Sequence, residues 1–488
     1  MFFANLSIRL LAGYKLKYSG IMWGKRKKLR VIFQSVFFIG LLVVVLAGVG
    51  QLGIVREFFG QASFIPANLF VNTKAVLGPL PRPWRNLAQG GESHAWRIAP
   101  IADSVRALHP EYIRLDHIYD FYDIVSGSPG NFTVDFSKLD LVLNDIKSVG
   151  AIPYISLSYM PPALGNGDLT GAPVNYSDWQ SLVQQTIQHI SGTLGFRDVY
   201  YEVWNEPDLF GGWKYYGNKS YLDLYAASAR GAAATRNTQA FKIGGPATTA
   251  LYKNWIDTLL SFTSKNNLRI DFISWHKYTY DLDQYRVDLA QARTWVSAFP
   301  QYNGQMEYQI TEWGHNSELD AGYDGRLGAA HTVASAITMV GTLERGFVFE
   351  IQDGLDPSGK PYWGRWGLLT ANEHGAKSKP RYWALRMLDS LASQRLQLLG
   401  QGSKVKALSA KTEDGKVQTI LANFDPKGIG QETVPITYQF ITPGNYELTM
   451  KYLSGDTRID KIATTTATLR MLVPVPSNDV VFTELVKK

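Results

Sequence analysis

No cysteine occurs among the 488 residues of the chain. The protein therefore has no disulfide, no thiolate nucleophile and no cysteine-containing metal site, so its fold must rely on its hydrophobic core. The eight histidines are scattered, and the His-Glu-x-x-His pattern of metal-dependent hydrolases is absent from the sequence. We therefore predict that the protein uses neither a metal nor another cofactor.

The chain also lacks an excess of basic residues once its first 30 residues are set aside. It holds 49 Lys and Arg against 42 Asp and Glu, and residues 1–30 contain eight of the basic residues and no acidic one. The remainder is close to neutral. Proteins that bind nucleic acid through its phosphates carry a basic surface, so we predict no nucleic-acid partner.

Residues 31–55 carry no charge and follow a run of basic residues. About 20 apolar residues span a bilayer, and positive charge on the N-terminal side favours a cytoplasmic N-terminus. We therefore predict a cytoplasmic segment (1–30), a transmembrane anchor (31–55), a stalk (56–65) and a body on the extracytoplasmic side of the plasma membrane. A cleaved signal peptide is the alternative, because Gly48 and Gly50 resemble the small residues of a cleavage site.

Between residues 66 and 398, short β-rich runs alternate with amphipathic helical runs. This alternation predicts a (β/α)8 barrel, and the alternative is an open doubly wound sheet. A glycine-rich nucleotide fingerprint, which would favour the open sheet, does not follow any early strand. The predicted barrel strands cover residues 69–72, 112–115, 152–157, 199–203, 241–244, 271–275, 308–311 and 347–351.

Residues 399–488 follow a different pattern, with β-rich runs separated by Asp-Gly, Pro-Gly and Ser-Gly turns. Such a pattern predicts a small β-sandwich. This domain either braces the barrel or binds sugar, and the sequence leaves both interpretations open.

Two glutamates stand at the ends of predicted strands. Glu206 follows the fourth strand in Glu-Val-Trp-Asn-Glu-Pro-Asp, and Glu312 ends the seventh in Ile-Thr-Glu-Trp-Gly. A carboxylate beside aromatic residues is costly to bury unless it has a function, and barrel active sites lie at the C-terminal ends of the strands. The two glutamates therefore suggest the acid and base pair of glycoside hydrolysis.

The chain resembles glycoside hydrolase family 39, a (β/α)8 family of clan A with an accessory β-sandwich. The family includes β-xylosidases, α-L-iduronidases and membrane-anchored enzymes that trim exopolysaccharide, and its enzymes retain the anomeric configuration. The resemblance rests on Tyr278 and on residues 155–164, 202–208, 242–247, 271–276 and 310–313.

This resemblance implies roles for particular residues. Glu206 corresponds to the acid/base and Glu312 to the nucleophile, which must be ionised to attack. Arg114 corresponds to the arginine that pairs with the nucleophile and lowers its pKa. The further substrate-binding residues expected from the resemblance and from the aromatic loops are Asn205, His276, Tyr278, Trp313, Trp363 and Trp366.

The sequence departs from the family at two places. Family xylosidases and iduronidases show Arg-x-His on the second strand, but here Arg114 is followed by Leu115 and Asp116, and the histidine is displaced to His117. The eighth strand reads Phe-Glu-Ile-Gln-Asp, which lacks the xylosidase-like aromatic pattern. Xylosidase or iduronidase activity is therefore not assumed. The predicted anchor, the neutral body and the aromatic residues of the loops lead us to expect a retaining glycosidase that cleaves a cell-surface or extracellular polysaccharide. The alternatives are an exo-acting β-xylosidase-like enzyme, a transglycosylase and a non-catalytic polysaccharide-binding scaffold.

Overall fold

A computed structural model describes residues 65–91 and 93–488. Within these residues, no helix is both long and apolar enough to cross a bilayer. The predicted cytoplasmic segment, the predicted anchor and nearly all of the predicted stalk lie outside the described residues. They therefore stay predictions, as does the location on the plasma membrane.

The described chain alternates strands and helices in its first part and consists of strands in its last part. The strands are β1 (Leu69–Pro79), β2 (Asn86–Gln89), β3 (Tyr112–Leu115), β4 (Val125–Ser128), β5 (Asn131–Val134), β6 (Ile152–Leu157), β7 (Val199–Val203), β8 (Phe241–Thr248), β9 (Phe272–Tyr278), β10 (Glu307–Gly314), β11 (Arg345–Phe349), β12 (Gln394–Leu399), β13 (Val405–Lys411), β14 (Val417–Asn423), β15 (Glu432–Gln439), β16 (Gly444–Tyr452), β17 (Thr457–Thr464), β18 (Thr468–Val475) and β19 (Asp479–Lys487).

The α-helices fall between the barrel strands, as the sequence pattern predicts. They are α1 (Ala102–Arg106), α2 (Ile118–Phe121), α3 (Ser137–Ser148), α4 (Tyr176–Ile187), α5 (Tyr221–Ala234), α6 (Lys253–Lys265), α7 (Gln284–Val296), α8 (Arg326–Met339) and α9 (Pro380–Asp389). Short 3-10 turns cover Pro83–Arg85, Ala99–Ile101, Pro300–Tyr302, Ala321–Asp324 and Asn372–His374, and a π-helical segment, Gln188–Thr193, continues α4.

Eight parallel strands close into a barrel. Their order around it is β2, β3, β6, β7, β8, β9, β10 and β11, and β11 pairs back with β2. The order follows the chain, as in a (β/α)8 barrel. The helices cover the outside, and tyrosine and phenylalanine side chains from the strands fill part of the interior. The predicted barrel is therefore confirmed.

The first barrel strand is β2, and the expectation that residues 69–72 form it was wrong. β1 instead pairs antiparallel with β12 and parallel with β15, outside the barrel. Its burial alternates, with Leu69 and Val71 buried and Phe70 partly exposed, which is typical of a sheet that has one solvated face. The residues of β2 are all buried, but its sequence Asn-Leu-Ala-Gln is too polar and too short to predict a strand.

A nine-stranded sheet forms the second layer of the protein. Its order is β17, β16, β19, β14, β13, β12, β1, β15 and β18, and its strands enclose a separate apolar core. The predicted β-sandwich is thus present. It also includes β1 and β12, so the sheet begins before the barrel, and the barrel segment is shorter at both ends than the range 66–398.

The barrel and the sheet share α8 between them. Nearly every residue of α8 is buried, and the helix contacts β10 on one side and β13, β14 and β19 on the other. A helix that is buried all round lies inside a structure, and its many small residues let the neighbouring strands approach closely. The sheet therefore packs against the barrel through a continuous core.

The placement of β1 makes a testable prediction from two valines in one strand. Val71 is fully buried in the core of the sheet, whereas Val76 is 46% exposed. Val71→Ala should lower the free energy of unfolding by about 2 kcal/mol, because it removes buried methyl groups and leaves a cavity. Val76→Ala should change it by less than about 0.5 kcal/mol. Urea unfolding followed by circular dichroism measures both, and equal losses would contradict the placement of β1.

Candidate active site

The two glutamates lie together at the mouth of the barrel. Glu312 is in β10, and Glu206 follows the end of β7. Trp204 and Glu206 both have positive φ angles, of 71° and 44°, in a region that side-chain-bearing residues rarely adopt. The backbone N–H of Glu206 donates to the carbonyl of Ala247 (3.0 Å), which ties this turn to the next strand. Such local strain is typical of functional sites and fixes the direction of the Glu206 side chain.

The guanidinium of Arg114 organises one side of this pair. It is fully buried in β3. Its Nη1 donates to Glu312 Oε1 at 2.9 Å, its Nε donates to Glu202 Oε2 at 2.8 Å, and its Nη2 donates to Asn205 Oδ1 at 2.7 Å. The Arg114 side chain therefore connects β3 to β10 and to the C-terminal end of β7. Glu202 provides a second negative charge for the arginine.

Two residues of β9 contact the glutamates from the other side. Tyr278 donates its hydroxyl to Glu312 Oε2 at 2.9 Å. His276 is fully buried, and its Nδ1 lies 2.8 Å from Glu206 Oε1 and 3.4 Å from Glu312 Oε2. The period of two residues along a strand places both side chains on the inner face. The structure thus brings together the expected residues His276 and Tyr278 with both carboxylates.

The carboxylates are close enough to share one sugar carbon. Carboxylate oxygens of Glu206 and Glu312 and a ring nitrogen of His276 all lie within 4.8 Å of one another. Retaining glycosidases hold their two carboxyl groups about 5–5.5 Å apart, whereas inverting enzymes need about 6.5–9.5 Å to fit a water molecule. The closest approach of the two carboxylates is thus nearer to the retaining distance than to the inverting one.

Burial dominates the electrostatics of Glu312. It raises the pKa of Glu312 to about 7, and the charge of Glu206 acts in the same direction, whereas His276 and Arg114 lower it. Arg114 therefore acts in the expected direction but does not outweigh burial. For His276, burial lowers the pKa, but the charge of Glu312 and the hydrogen bond to Glu206 outweigh it and raise the pKa. The two carboxylates thus hold the pKa of His276 above its ordinary value.

Asn205 is held by two hydrogen bonds. Its Oδ1 accepts from Arg114, and its Nδ2 donates to the hydroxyl of Tyr159 at 2.8 Å. This arrangement assigns the oxygen and nitrogen ends of the amide and leaves the second Nδ2 hydrogen for a ligand. Asn205 lines the cavity beside Glu206, where we expected it.

The three tryptophans expected at the site have different positions. Trp366 lines the cavity, and its indole N–H donates to the carbonyl of Asn316 at 3.2 Å. Trp363 is not among the residues that line the cavity; the Arg365 guanidinium lies 4.9 Å from its ring and 4.0 Å from that of Trp366. Trp313 is fully buried and packs against Tyr285 and His331, so its assignment to substrate binding was wrong. Glu312 faces inward, and its neighbour in the strand therefore faces the helices.

The segment that carries Trp366 is fixed by buried cations. The ammonium of Lys379 is fully buried, 2.5 Å from Asp353 and 2.6 Å from Asp324, and it donates to the carbonyl of Arg365 at 3.0 Å. Arg381 donates to the carbonyls of Trp366 and Phe349. The long loop after β11 is therefore held at defined points, and the wall it forms is rigid.

The cavity has a volume of about 560 Å³ and involves the ends of all eight barrel strands. Several of its residues were missed by sequence reasoning because they lie in loops without a recognisable motif. Their one available signal was their position soon after a barrel strand. They are Leu209, Phe210, Thr249, Ser317 and Glu318.

Glu206, His276 and Glu312 could in principle approach one metal ion. Both oxygens of Glu312 already accept hydrogen bonds, from Arg114 and from Tyr278. A cation would have to lie beside the positive guanidinium. The donor set therefore fits a Glu312 carboxylate paired with Arg114 better than a metal site, and the expectation of no metal stays a prediction.

The fold and the site define a (β/α)8 protein with a pair of carboxylates at the barrel mouth. A sequence model of glycosyl hydrolases family 39 matches residues 102–420, and the chain belongs to this family.

Two curated relatives are similar to part of the chain. A beta-xylosidase of Caldicellulosiruptor saccharolyticus is 29% identical over 300 residues, which are 55% of this chain and 59% of that protein. A beta-xylosidase of Geobacillus stearothermophilus is 24% identical over 351 residues, which are 63% of this chain and 66% of that protein. The chain therefore spans less than two thirds of the length of either relative.

Solved structures share the fold at lower identity. A GH39 enzyme from Xanthomonas axonopodis pv. citri superposes with a TM-score of 0.71 at 20% identity and covers 87% of this chain and 98% of its own. A monomeric beta-xylosidase from Caulobacter crescentus CB15 gives the same TM-score and identity and covers 86% and 99%. The fold described here is thus the fold of these structures.

The raised pKa of Glu312 predicts how its replacement affects stability. A buried acid that prefers its neutral form stabilises the folded protein below the usual pKa of glutamate, and this stabilisation is lost as the pH rises through about 7. Glu312→Gln has no such ionisation. Its free energy of unfolding, relative to that of the original protein, should therefore be higher at about pH 8 than at about pH 5, by about 1.4 kcal/mol for each unit of pKa shift.

Urea unfolding at both pH values measures this change. The exposed Glu413→Gln is the control and should show the same difference at both. A stability difference for Glu312→Gln that does not vary with pH would contradict the electrostatic analysis.

Proposed function

We propose that the protein is a retaining glycoside hydrolase, with Glu206 as the acid/base and Glu312 as the nucleophile. The observation that carries the proposal is the approach of the two carboxylates to within 4.8 Å at the barrel mouth. Family membership supports the same reaction class. The unequal surroundings of the glutamates support the assignment of roles.

The partners of Glu312 favour its charged form when substrate is bound. Arg114 and Tyr278 donate to its two oxygens, and both hydrogen bonds are stronger when the carboxyl group is ionised. Glu206 has no arginine partner among the described residues and contacts His276 instead. Glu312 is thus suited to attack carbon, and Glu206 is suited to exchange a proton with the leaving oxygen.

The reaction proceeds in two displacements. In the first, a carboxylate oxygen of Glu312 attacks the anomeric carbon, the bond to the leaving oxygen breaks, and Glu206 gives that oxygen its proton. In the second, Glu206 takes a proton from water, the water oxygen attacks the anomeric carbon, and the ester to Glu312 breaks. Each step inverts the carbon, so the product keeps the original configuration.

The substrate that we propose is a polysaccharide or oligosaccharide of the cell surface or its surroundings. Exposed apolar side chains support an extended ligand, because Leu209 and Phe210 line the cavity and are 59% and 40% exposed. Apolar surface at the rim of a polar cavity is a typical contact for sugar rings. An exo-acting xylosidase-like enzyme is the second candidate, and the two curated relatives described as beta-xylosidases favour it.

Two variants test the reaction and the roles. With a panel of polysaccharides and aryl glycosides, Glu206→Ala should lose about 10²- to 10⁴-fold in rate, because it lacks proton transfer. Glu312→Ala should lose at least as much. Added azide should enter the space of the missing carboxylate and attack the anomeric carbon. The glycosyl azide formed by Glu206→Ala should keep the anomeric configuration of the substrate, and the one formed by Glu312→Ala should have the opposite configuration.

Mass and stereochemical analysis of the products is the measurement. Long fragments indicate internal cleavage of a polysaccharide, monosaccharides indicate the exo-acting alternative, and transfer to added acceptor sugars indicates a transglycosylase. Binding without turnover, unchanged in both variants, would replace the glycosidase proposal with the polysaccharide-binding scaffold. Glu318→Gln tests whether any loss is a general effect of removing a carboxylate from the cavity wall.

A pair of tyrosines tests the ionisation of Glu312. The value of kcat/KM should rise as the pH passes about 7, the pKa of Glu312. Tyr278→Phe removes a donor to the ionised carboxylate and should move this rise upward by about 0.5–1 pH unit, as expected for one lost hydrogen bond. Tyr280→Phe is the control, since that hydroxyl donates to Asp320. An unchanged profile for Tyr278→Phe would contradict the role of Glu312.

A further inference from the structure

Asp116 is a buried carboxylate for which the two-glutamate mechanism has no use. It follows β3, two positions after Arg114, and lines the cavity at 4% exposure. Its Oδ1 has no hydrogen-bond partner in the part of the chain that the structure describes. Burying a polar atom without a hydrogen-bond partner costs about 1–3 kcal/mol of stability. Because this oxygen lies at a cavity wall, a ligand that donates a hydrogen bond to it would remove that cost.

Arg114 does not form a hydrogen bond with Asp116. The shortest contact between them is 4.0 Å, from Nη1 to Oδ2, because Nη1 is already committed to Glu312 at 2.9 Å. The other donor nitrogens of the guanidinium are directed to Glu202 and Asn205. A single guanidinium nitrogen therefore separates the carboxylates of Asp116 and Glu312, a spacing that one sugar ring can span.

His117 provides a complementary group on the same wall. Its Nδ1 is 2.7 Å from Asp120, and its ring packs against Phe121 and Tyr159. The other ring nitrogen, Nε2, faces Gly91, where an added Cβ would lie only 2.1 Å away. The glycine thus leaves room for the imidazole at the cavity wall. Asp116 and His117 therefore lie side by side in the wall of one cavity.

We propose that Asp116 determines which sugar occupies the position next to Glu312, by accepting hydrogen bonds from its hydroxyl groups. The inference rests on the proposed glycosidase function and deepens it: the site takes a glycone rich in hydrogen-bond donors and rejects a uronic acid. A glycone carboxylate would meet Asp116, Glu312 and Glu206 while the donors of Arg114 are occupied. Like charges brought together in a buried site are strongly unfavourable.

The electrostatics of Asp116 agree with this selection. Burial raises the pKa of its carboxyl, while the charges of His117 and Arg114 oppose the shift. An anion bound beside Asp116 would oppose its ionisation further, so the carboxylate form of Asp116 and an anionic ligand disfavour each other. A sugar hydroxyl or the ammonium of an amino sugar can donate a hydrogen bond to this carboxylate. A comparison of neutral-sugar and amino-sugar substrates distinguishes the two donors.

Variants of Asp116 test the proposal with aryl glycosides of neutral sugars, amino sugars and uronic acids. For the best neutral substrate, Asp116→Ala should lower kcat/KM by about 10- to 100-fold, because a sugar hydroxyl loses its partner. Asp116→Asn keeps an acceptor oxygen and should lose less, while its ratio of uronide to neutral-glycoside turnover should rise by about 10-fold or more. The exposed Asp123→Asn is the matched control. A preference for glucosaminides over neutral glycosides would identify the ammonium as the recognised group.

Binding distinguishes this inference from the glycosidase proposal. Saturation-transfer NMR with the matching free monosaccharides reports glycone binding to the full chain, whether or not it turns over a substrate. Loss of neutral-sugar binding in Asp116→Ala without any hydrolysis by the original protein would support the inference and overturn the glycosidase function. Unchanged selectivity in folded Asp116 variants, a preference of the original protein for uronides, or absence of both turnover and binding would overturn the inference.

Discussion

The buried guanidinium of Arg114 is the interaction on which the site depends. It holds Glu312 in β10, Glu202 in β7 and Asn205 beyond β7 with three hydrogen bonds of 2.7–2.9 Å. A buried charge is tolerated only when it is paired and hydrogen-bonded, and here the pairing spans the barrel. Because arginine donates from a rigid planar fork, the three partners cannot move independently. The position of the nucleophile candidate is therefore a property of the closed barrel and not of one strand.

The rest of the molecule supplies rigidity around this centre. The strained turn at Glu206 is tied to Ala247, and the loop that carries Trp366 is held by Lys379 and Arg381. Behind the barrel, α8 is packed on both sides because the sheet covers it. A site built on rigid elements holds its groups in place before the substrate arrives, which lowers the cost of reaching the transition state.

This organisation has an electrostatic cost. The burial that keeps Glu312 in place also raises its pKa to about 7, despite the opposing charges of Arg114 and His276. The free site thus holds several acidic groups around few positive charges. Their balance raises the pKa of His276 and underlies the proposed preference for a neutral sugar over an acidic one. Functional sites commonly combine such perturbed groups at the expense of stability.

The sequence by itself determined the repeating pattern and the chemistry. Strand and helix periods are local properties, so seven of the eight barrel strands, most of the helices between them and most strands of the C-terminal part of the sheet could be predicted. Glu206 and Glu312 could be named from their places at strand ends, and Arg114, Asn205, His276 and Tyr278 from the resemblance to the family. The structure brings them together as expected.

Tertiary structure alone decided what depends on partners distant in sequence. β1 has a good strand sequence, but only its pairing with β12 and β15 shows that it lies in the sheet, while polar β2 becomes a barrel strand because the barrel buries it. The fold likewise directs Trp313 to the helices and Trp366 to the cavity, and it leaves Oδ1 of Asp116 without a hydrogen-bond partner among the described residues. Side-chain direction, burial and charge balance are set by the whole fold, and no local pattern of residues contains them.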